Sequence, residues 1–293
     1  MFDYEEETQA EFEVISSSTE EGYSITDVKY ESPFNGQVSA FLLIPDKGGP
    51  FPAVIFMHPS QGNRKTYLRE AQMFATKGYI SLLIETPYFE RYGGQVFDER
   101  KAFIKRVESL ADIQKYIQTI MDIRRGVTLL CKLSIVDEER IAFIGHGFGA
   151  ALGGVISGID SRIKTFVLIS GYGQVSEWQL TSEYPMAAII RSFLPTERFE
   201  YFISSLRKLD AINFVKNAAP ASILFQFATN DEFIERDHSV TFFAAASSPK
   251  KIIWYDTDHL FTNCESALVD RQKWLSEHFW LQDDILSKES MKN

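Results

Sequence analysis

Cysteine is scarce in this 293-residue chain, which carries only Cys131 and Cys264. Two thiols cannot build the dense disulfide framework of a small secreted domain, and they suit a reducing, cytoplasmic setting. With five scattered histidines they make no zinc-ligand spacing either, so no metal is expected. No apolar run approaches the roughly 18 residues of a membrane span. The opening "MFDYEEETQAEFEV" has neither the basic n-region nor the apolar h-region of a secretory signal. Positive charge is also in deficit: 30 Lys and Arg face 40 Asp and Glu, a net charge of −10. Such a balance disfavours nucleic acid and anionic membranes as partners.

What is there is ordinary for a globular protein, 45% hydrophobic and 24% charged. The length fits one large α/β domain or two small ones, and no repeat or composition break marks a linker. Residues 1–22 read as an acidic leader, helical or loosely attached, and residues 23–293 as one domain. A homo-oligomer is left open.

Along the chain, "TDVKY" and "QVSAFLLI" flank an Asn-Gly turn and predict a strand pair. The continuous apolar runs "PAVIFM" and "YISLLI" predict strands buried on both faces, with a helix near 66–77 between them closed by Gly78. From 99 to 132, Val107, Leu110, Ile113, Ile117, Ile120 and Val127 recur at helical steps, giving one long helix or two joined near Gly126. Strands at 140–144, 163–169, 221–227 and 250–255 then alternate with helices from 148, near 236–246 and at about 264–280. Eight strands alternating with helices make a mostly parallel sheet covered on both faces. Residues 172–216 break the rhythm with an aromatic-rich helical stretch. An insertion after a core strand belongs above the strands' C-terminal ends, so it reads as a cap over a pocket, or else as padding on a sheet edge.

The strand at 140–144 ends in "IGHGFGA". Gly145, Gly147 and Ala150 match the dinucleotide turn Gly-x-Gly-x-x-Ala, but that turn expects an acid roughly 20 residues on, at the end of the next strand. Here that strand ends "VLISGYG", with Ser170 and Gly171 in the acid's place. The competing reading is a nucleophile elbow, Gly-x-Ser-x-Gly, in which the nucleophile's position is held by Gly147. The next strands favour it. Asp231 stands just past the strand at 221–227 and His259 just past the strand at 250–255, which gives the order nucleophile position, acid, base. Upstream, "FMHPSQGN" occupies the loop that supplies an oxyanion N–H, with Ser60 or Gln61 as donor and Phe148 N–H as its partner.

The segments "VIFMHPSQG", "IAFIGHGFGAALGG", "ILFQFATNDEFI" and "YDTDHLF" resemble the bacterial α/β-hydrolases near dienelactone hydrolases, acyl-peptidase-like enzymes and small carboxylesterases. The resemblance spans roughly residues 24–282. It implies Asp231 as triad acid, His259 as base, and Phe148 with Ser60 or Gln61 as oxyanion donors. The implied chemistry is two-step acyl transfer on an ester or amide, without cofactor. The departure is Gly147, which has no hydroxyl.

Three explanations fit that glycine. The serine was deliberately removed from an intact hydrolase, or the chain is a natural pseudo-hydrolase that binds without turnover, or His259 activates a water directly. In each, hydrolysis by the serine route is strongly impaired. The aromatic cap points to a hydrophobic acyl or aryl small molecule. Other residues have plainer alternatives. Asp231 could cap a turn, and Asp256 and Asp258 could solvate the histidine loop. His58 could fix the oxyanion loop, and His146 could pack beneath the elbow. Cys264 reads as a buried structural thiol, Glu85 and Tyr88 as pocket or loop-fixing residues, and Gly93-Gly94 as a rim loop.

Overall fold

The structure, a computed structural model, describes Phe2, residues 11–87 and residues 99–279. The first five strands are Glu13–Glu20 (β1), Tyr23–Glu31 (β2), Gln37–Pro45 (β3), Phe51–Met57 (β4) and Ile80–Ile84 (β5). Val136–His146 (β6), Thr165–Ile169 (β7), Ser222–Ala228 (β8) and Lys250–Tyr255 (β9) follow. They form one sheet in the order β1-β2-β3-β5-β4-β6-β7-β8-β9. The first three strands pair antiparallel, as do β3 and β5; from β5 across to β9 every neighbour is parallel.

Strand periodicity divides the core. Along β4, Ala53, Ile55 and Met57 face one apolar cluster, while Val54 and Phe56 face another. The first cluster lies under the helices Glu99–Leu110 (α2), Ile113–Cys131 (α3) and Phe148–Ser157 (α4). The second lies under Leu68–Thr76 (α1) and the last described helix, Glu265–Phe279. A strand covered on both faces has no use for polar alternation, which is why all seven residues of β4 are buried. Among the described residues, no helix is long and apolar enough to cross a membrane.

Three features differ from the sequence reading. Residues 13–20 are not a loose leader but an edge strand, the ninth of the sheet, joined to β2 through a turn at Gly22. Every residue of β1 is exposed, so its pairing rests on backbone hydrogen bonds and leaves no apolar alternation to read. The long helical stripe is broken at Ala111–Asp112 rather than at Gly126. Asp112 caps the new helix, its carboxylate accepting from Gln114 N–H at 2.9 Å. Cys264 is only partly buried and precedes the last helix. Tyr88 and Gly93-Gly94 lie outside the described residues.

The insertion after β7 forms four helices: Val175–Thr181 (α5), Pro185–Phe193 (α6), Thr196–Leu209 (α7) and Ile212–Val215 (α8). The chain enters and leaves it side by side, with Ile212 N–H donating to Gly173 O at 3.0 Å. Asp210, at the end of α7, accepts from the Ser176 N–H at 3.0 Å and hydroxyl at 2.5 Å, which ties off the first turn of α5.

Candidate active site

The parallel strands run the same way, so their C-terminal ends line one edge of the sheet. The order of strands reverses at β4, with β5 added on one side and β6 on the other, the switch point where such sheets form a ligand crevice. The loop after β4 carries His58, Ser60 and Gln61 into it; β6 ends at His146, one residue before Gly147. Asp231 follows β8 and His259 follows β9, two and three strands from β6.

Gly147 sits at φ +53° and ψ −111°, the strained turn of an elbow, immediately before α4. Its N–H donates to Ile169 O at 2.8 Å, and its carbonyl accepts from Ala150 and Ala151. A side chain is excluded at Gly149, where a Cβ would lie 2.3 Å from Met57 O; this close approach holds α4 against β4. At Gly147 the fit is tight but meets no backbone. A Cβ would meet His259 Nε2 at 3.3 Å and Pro59 Cβ at 3.5 Å.

His259 and Asp231 come together as the spacing implied. His259 Nδ1 lies 2.9 Å from both carboxylate oxygens of Asp231, and both side chains are almost wholly buried. Burial raises the Asp231 pKa, but His259 and the Phe233 and Ile234 N–H groups outweigh it and hold the carboxyl below its ordinary value. Those two N–H groups donate to Asp231 Oδ1 at 3.0 and 2.8 Å. The turn-capping role and the histidine contact are therefore filled by one carboxylate. Its partner Nδ1 is the donor, which leaves Nε2 facing residue 147.

His146 lies beneath, its ring 5.2 Å from that of His259, and its Nε2–H donates to His259 O at 2.7 Å. Burial, with His259 nearby, pushes its pKa down to about 3, so it stays neutral. His58 Nδ1 donates to Pro59 O at 2.7 Å, and its Nε2 lies 3.1 Å from Glu85 Oε1. Glu85 also accepts from the Thr86 and Arg64 N–H groups, so both residues fix loops. Asp256 accepts from Asn230 and Asp258 from the Thr262 N–H, as loop-solvating residues do.

Gly147, Phe148, Ser60, Gln61 and His259 share a recess of about 20 Å³. The Ser60 hydroxyl donates to Gln61 Oε1 at 3.1 Å, and Gln61 Nε2 donates to Tyr184 OH at 2.8 Å, tying the loop after β4 to the cap. A second tie runs from Trp178 Nε1 to Phe233 O, at 2.8 Å, on the loop that carries Asp231. The rings of Tyr172, Trp178, Tyr184, Phe233 and His259 pack in succession, with centroids 4.7–5.8 Å apart. Behind this row lies a mainly apolar cavity of about 90 Å³ that shares Ser60, Phe148, Tyr172, Trp178 and Tyr184 with the recess. Residues of the insertion thus line both the recess and the cavity behind it. Which cap aromatics meet which loop was not legible, because several in the segment have equivalent helical spacing.

Residues 4–278 match the acetyl xylan esterase (AXE1) family. Among solved structures, the acetyl xylan esterase from Paenibacillus sp. R4 superposes with a TM-score of 0.72 at 21% identity, covering 92% of this chain and 88% of that one. The acetyl xylan esterase 1 from Thermoanaerobacterium sp. JW/SL YS485 gives 0.73 at 18% identity over 92% and 88%. The α/β hydrolase GrgF from Penicillium sp. sh18 gives 0.64 at 16% identity over 90% and 99%. No curated protein matches in sequence. With the family match running through residues 4–278, the chain belongs to the acetyl xylan esterase family and carries its esterase-type α/β-hydrolase scaffold.

Proposed function

We propose that this chain binds a small ester-like ligand with an apolar acyl or aryl group in an acyl-transfer site whose nucleophile position, Gly147, is empty of a hydroxyl. One observation carries the reading: His259 Nε2 faces the space a residue-147 side chain would fill, while Nδ1 is held by Asp231. In this reading Asp231 orients His259 and stabilises its protonated form. Phe148 N–H, with the backbone N–H of Ser60 or Gln61, receives the oxyanion. Without a serine no acyl-enzyme forms, so a ligand is held with little turnover.

A second reading has support from the recess itself. Its volume of about 20 Å³ exceeds the ~10–15 Å³ that one water needs, so a water could stand beside Nε2 and attack directly.

The test is a paired assay of the chain and Gly147→Ser on nitrophenyl esters of graded length. The proposal expects serine to raise turnover by ~10³-fold or more, and His259→Ala to abolish the gain. No gain in a folded Gly147→Ser variant would overturn the acyl-transfer assignment. His259-dependent turnover by the unmodified chain would favour the water route.

A further inference from the structure

The cavity under the cap is mainly apolar, yet two hydroxyls on its wall are unsatisfied. Tyr116, on α3, and Thr86, just after β5, both line it; each is 3% exposed. Neither Tyr116 OH nor Thr86 Oγ1 has a hydrogen-bond partner among the described residues. A buried hydroxyl left unpaired is destabilising, and a purely structural wall would carry Phe and Val here at no loss of shape. The Tyr116 ring packs edge-on against Phe148 at 5.7 Å, and Phe148 also lines the recess that holds Gly147 and His259. Burial, then Asp210 and Tyr172 nearby, push the phenol well above its ordinary pKa, so it remains a neutral group able to donate and accept.

We infer that the cavity selects a compact ligand group bearing a hydroxyl or oxo oxygen remote from the ester carbonyl, with that oxygen paired to Tyr116 OH and Thr86 Oγ1. The inference rests on the reading that this cavity receives the ligand's acyl or aryl group. A cavity of about 90 Å³ is smaller than the ~150 Å³ that takes up benzene, so the group has about three to five heavy atoms. A hydroxylated or keto-bearing short chain, or one small oxygenated ring, meets both requirements. An unfunctionalised alkyl chain fills the space but leaves both hydroxyls bare.

The probes are cyclobutanol, cyclobutanone and methylcyclobutane, matched in heavy-atom count and titrated into the unmodified chain by ligand-observed NMR. The comparison is then repeated with Tyr116→Phe, Thr86→Val and the double variant. In the double variant the affinity ratio of cyclobutanol to methylcyclobutane should fall at least ten-fold, through weaker alcohol binding with hydrocarbon binding kept or improved. Using a ratio removes the unequal hydration of the two probes. The ligand-free variants should also melt at the same temperature as the unmodified chain or higher, because an unpaired buried hydroxyl has been removed.

An unchanged ratio, failure of both oxygenated probes to bind at millimolar concentration, or variants that melt several degrees lower would each overturn the inference. The last would mean that the hydroxyls hold the fold together. These readouts need no turnover. Oxygen-selective binding alongside an inert Gly147→Ser variant would leave this assignment standing and remove only the acyl-transfer reading. An active Gly147→Ser variant without oxygen selectivity would do the reverse.

Discussion

His259 Nε2 stands 3.3 Å from the point that a Cβ on Gly147 would occupy. The backbone there has φ +53°, which non-glycine residues adopt at a cost of about 1–2 kcal/mol. Gly147→Ala should therefore lower stability by about that amount in urea unfolding and leave ester turnover at background. Gly147→Ser should show a similar loss of stability together with a gain in rate. Equal stability of all three chains would show that the elbow relaxes to another conformation.

Asp231 is expected to matter through His259. In a Gly147→Ser background, Asp231→Asn should lower kcat by about 10³–10⁴-fold, because the amide can present the wrong partner to Nδ1 and cannot stabilise an imidazolium. Steady-state kinetics on a short-chain ester checks this. A loss below ten-fold would assign the orienting role elsewhere.

The buried His146 makes stability depend on pH. Its folded pKa is depressed to about 3, against roughly 6.5 in an unfolded chain. Between those values the unfolded state holds a proton that the folded state does not, so stability rises with pH across the window and falls as acid is added. From pH 6.5 to 4.5 this group alone should remove about 2–3 kcal/mol. His146→Gln keeps a donor for His259 O and lacks the titration. Urea unfolding at the two pH values should show a smaller acid loss in that variant.

Tyr184 OH joins the cap to the exposed Gln61 side chain. Tyr184→Phe should open that tie while changing global stability by less than ~1 kcal/mol, since the freed amide can turn to water. Hydrogen–deuterium exchange should quicken in α6, Pro185–Phe193, while the amides of β4 and β6 keep their protection. Unchanged exchange in α6 would mean that aromatic packing alone keeps the cap shut.

The sheet was legible where burial dictates composition. Short continuous apolar runs such as "PAVIFM", bounded by turn residues, fit strands covered on both faces, and the loops they launch bring Asp231 and His259 together. The first strand was hidden for the opposite reason: "EVISSSTE" buries no side chain, so nothing in its pattern separates an edge strand from a tail. The break between α2 and α3 depends on one capping contact at Asp112, a local signal that a stripe of apolar residues overrides. Tyr116 and Thr86 were not legible as site residues. Tyr116 sits among apolar neighbours on a long amphipathic helix, and only the packing of α3 beside Phe148 turns that position toward the cavity.

Between β7 and β8, Gly173 and Ile212 bracket α5, α6 and α7 and are joined by a backbone hydrogen bond, and Asp210 closes the first turn of α5 from within the bracketed segment. An excursion whose ends are already touching can lengthen, shorten or be exchanged with little added loop-closure entropy. Ligand preference can therefore drift by replacing this excursion alone, while the acid–histidine pair on the neighbouring strand ends keeps its register. The same modularity offers engineers a graft site: a different cap spliced between residues 173 and 212 should inherit an assembled dyad.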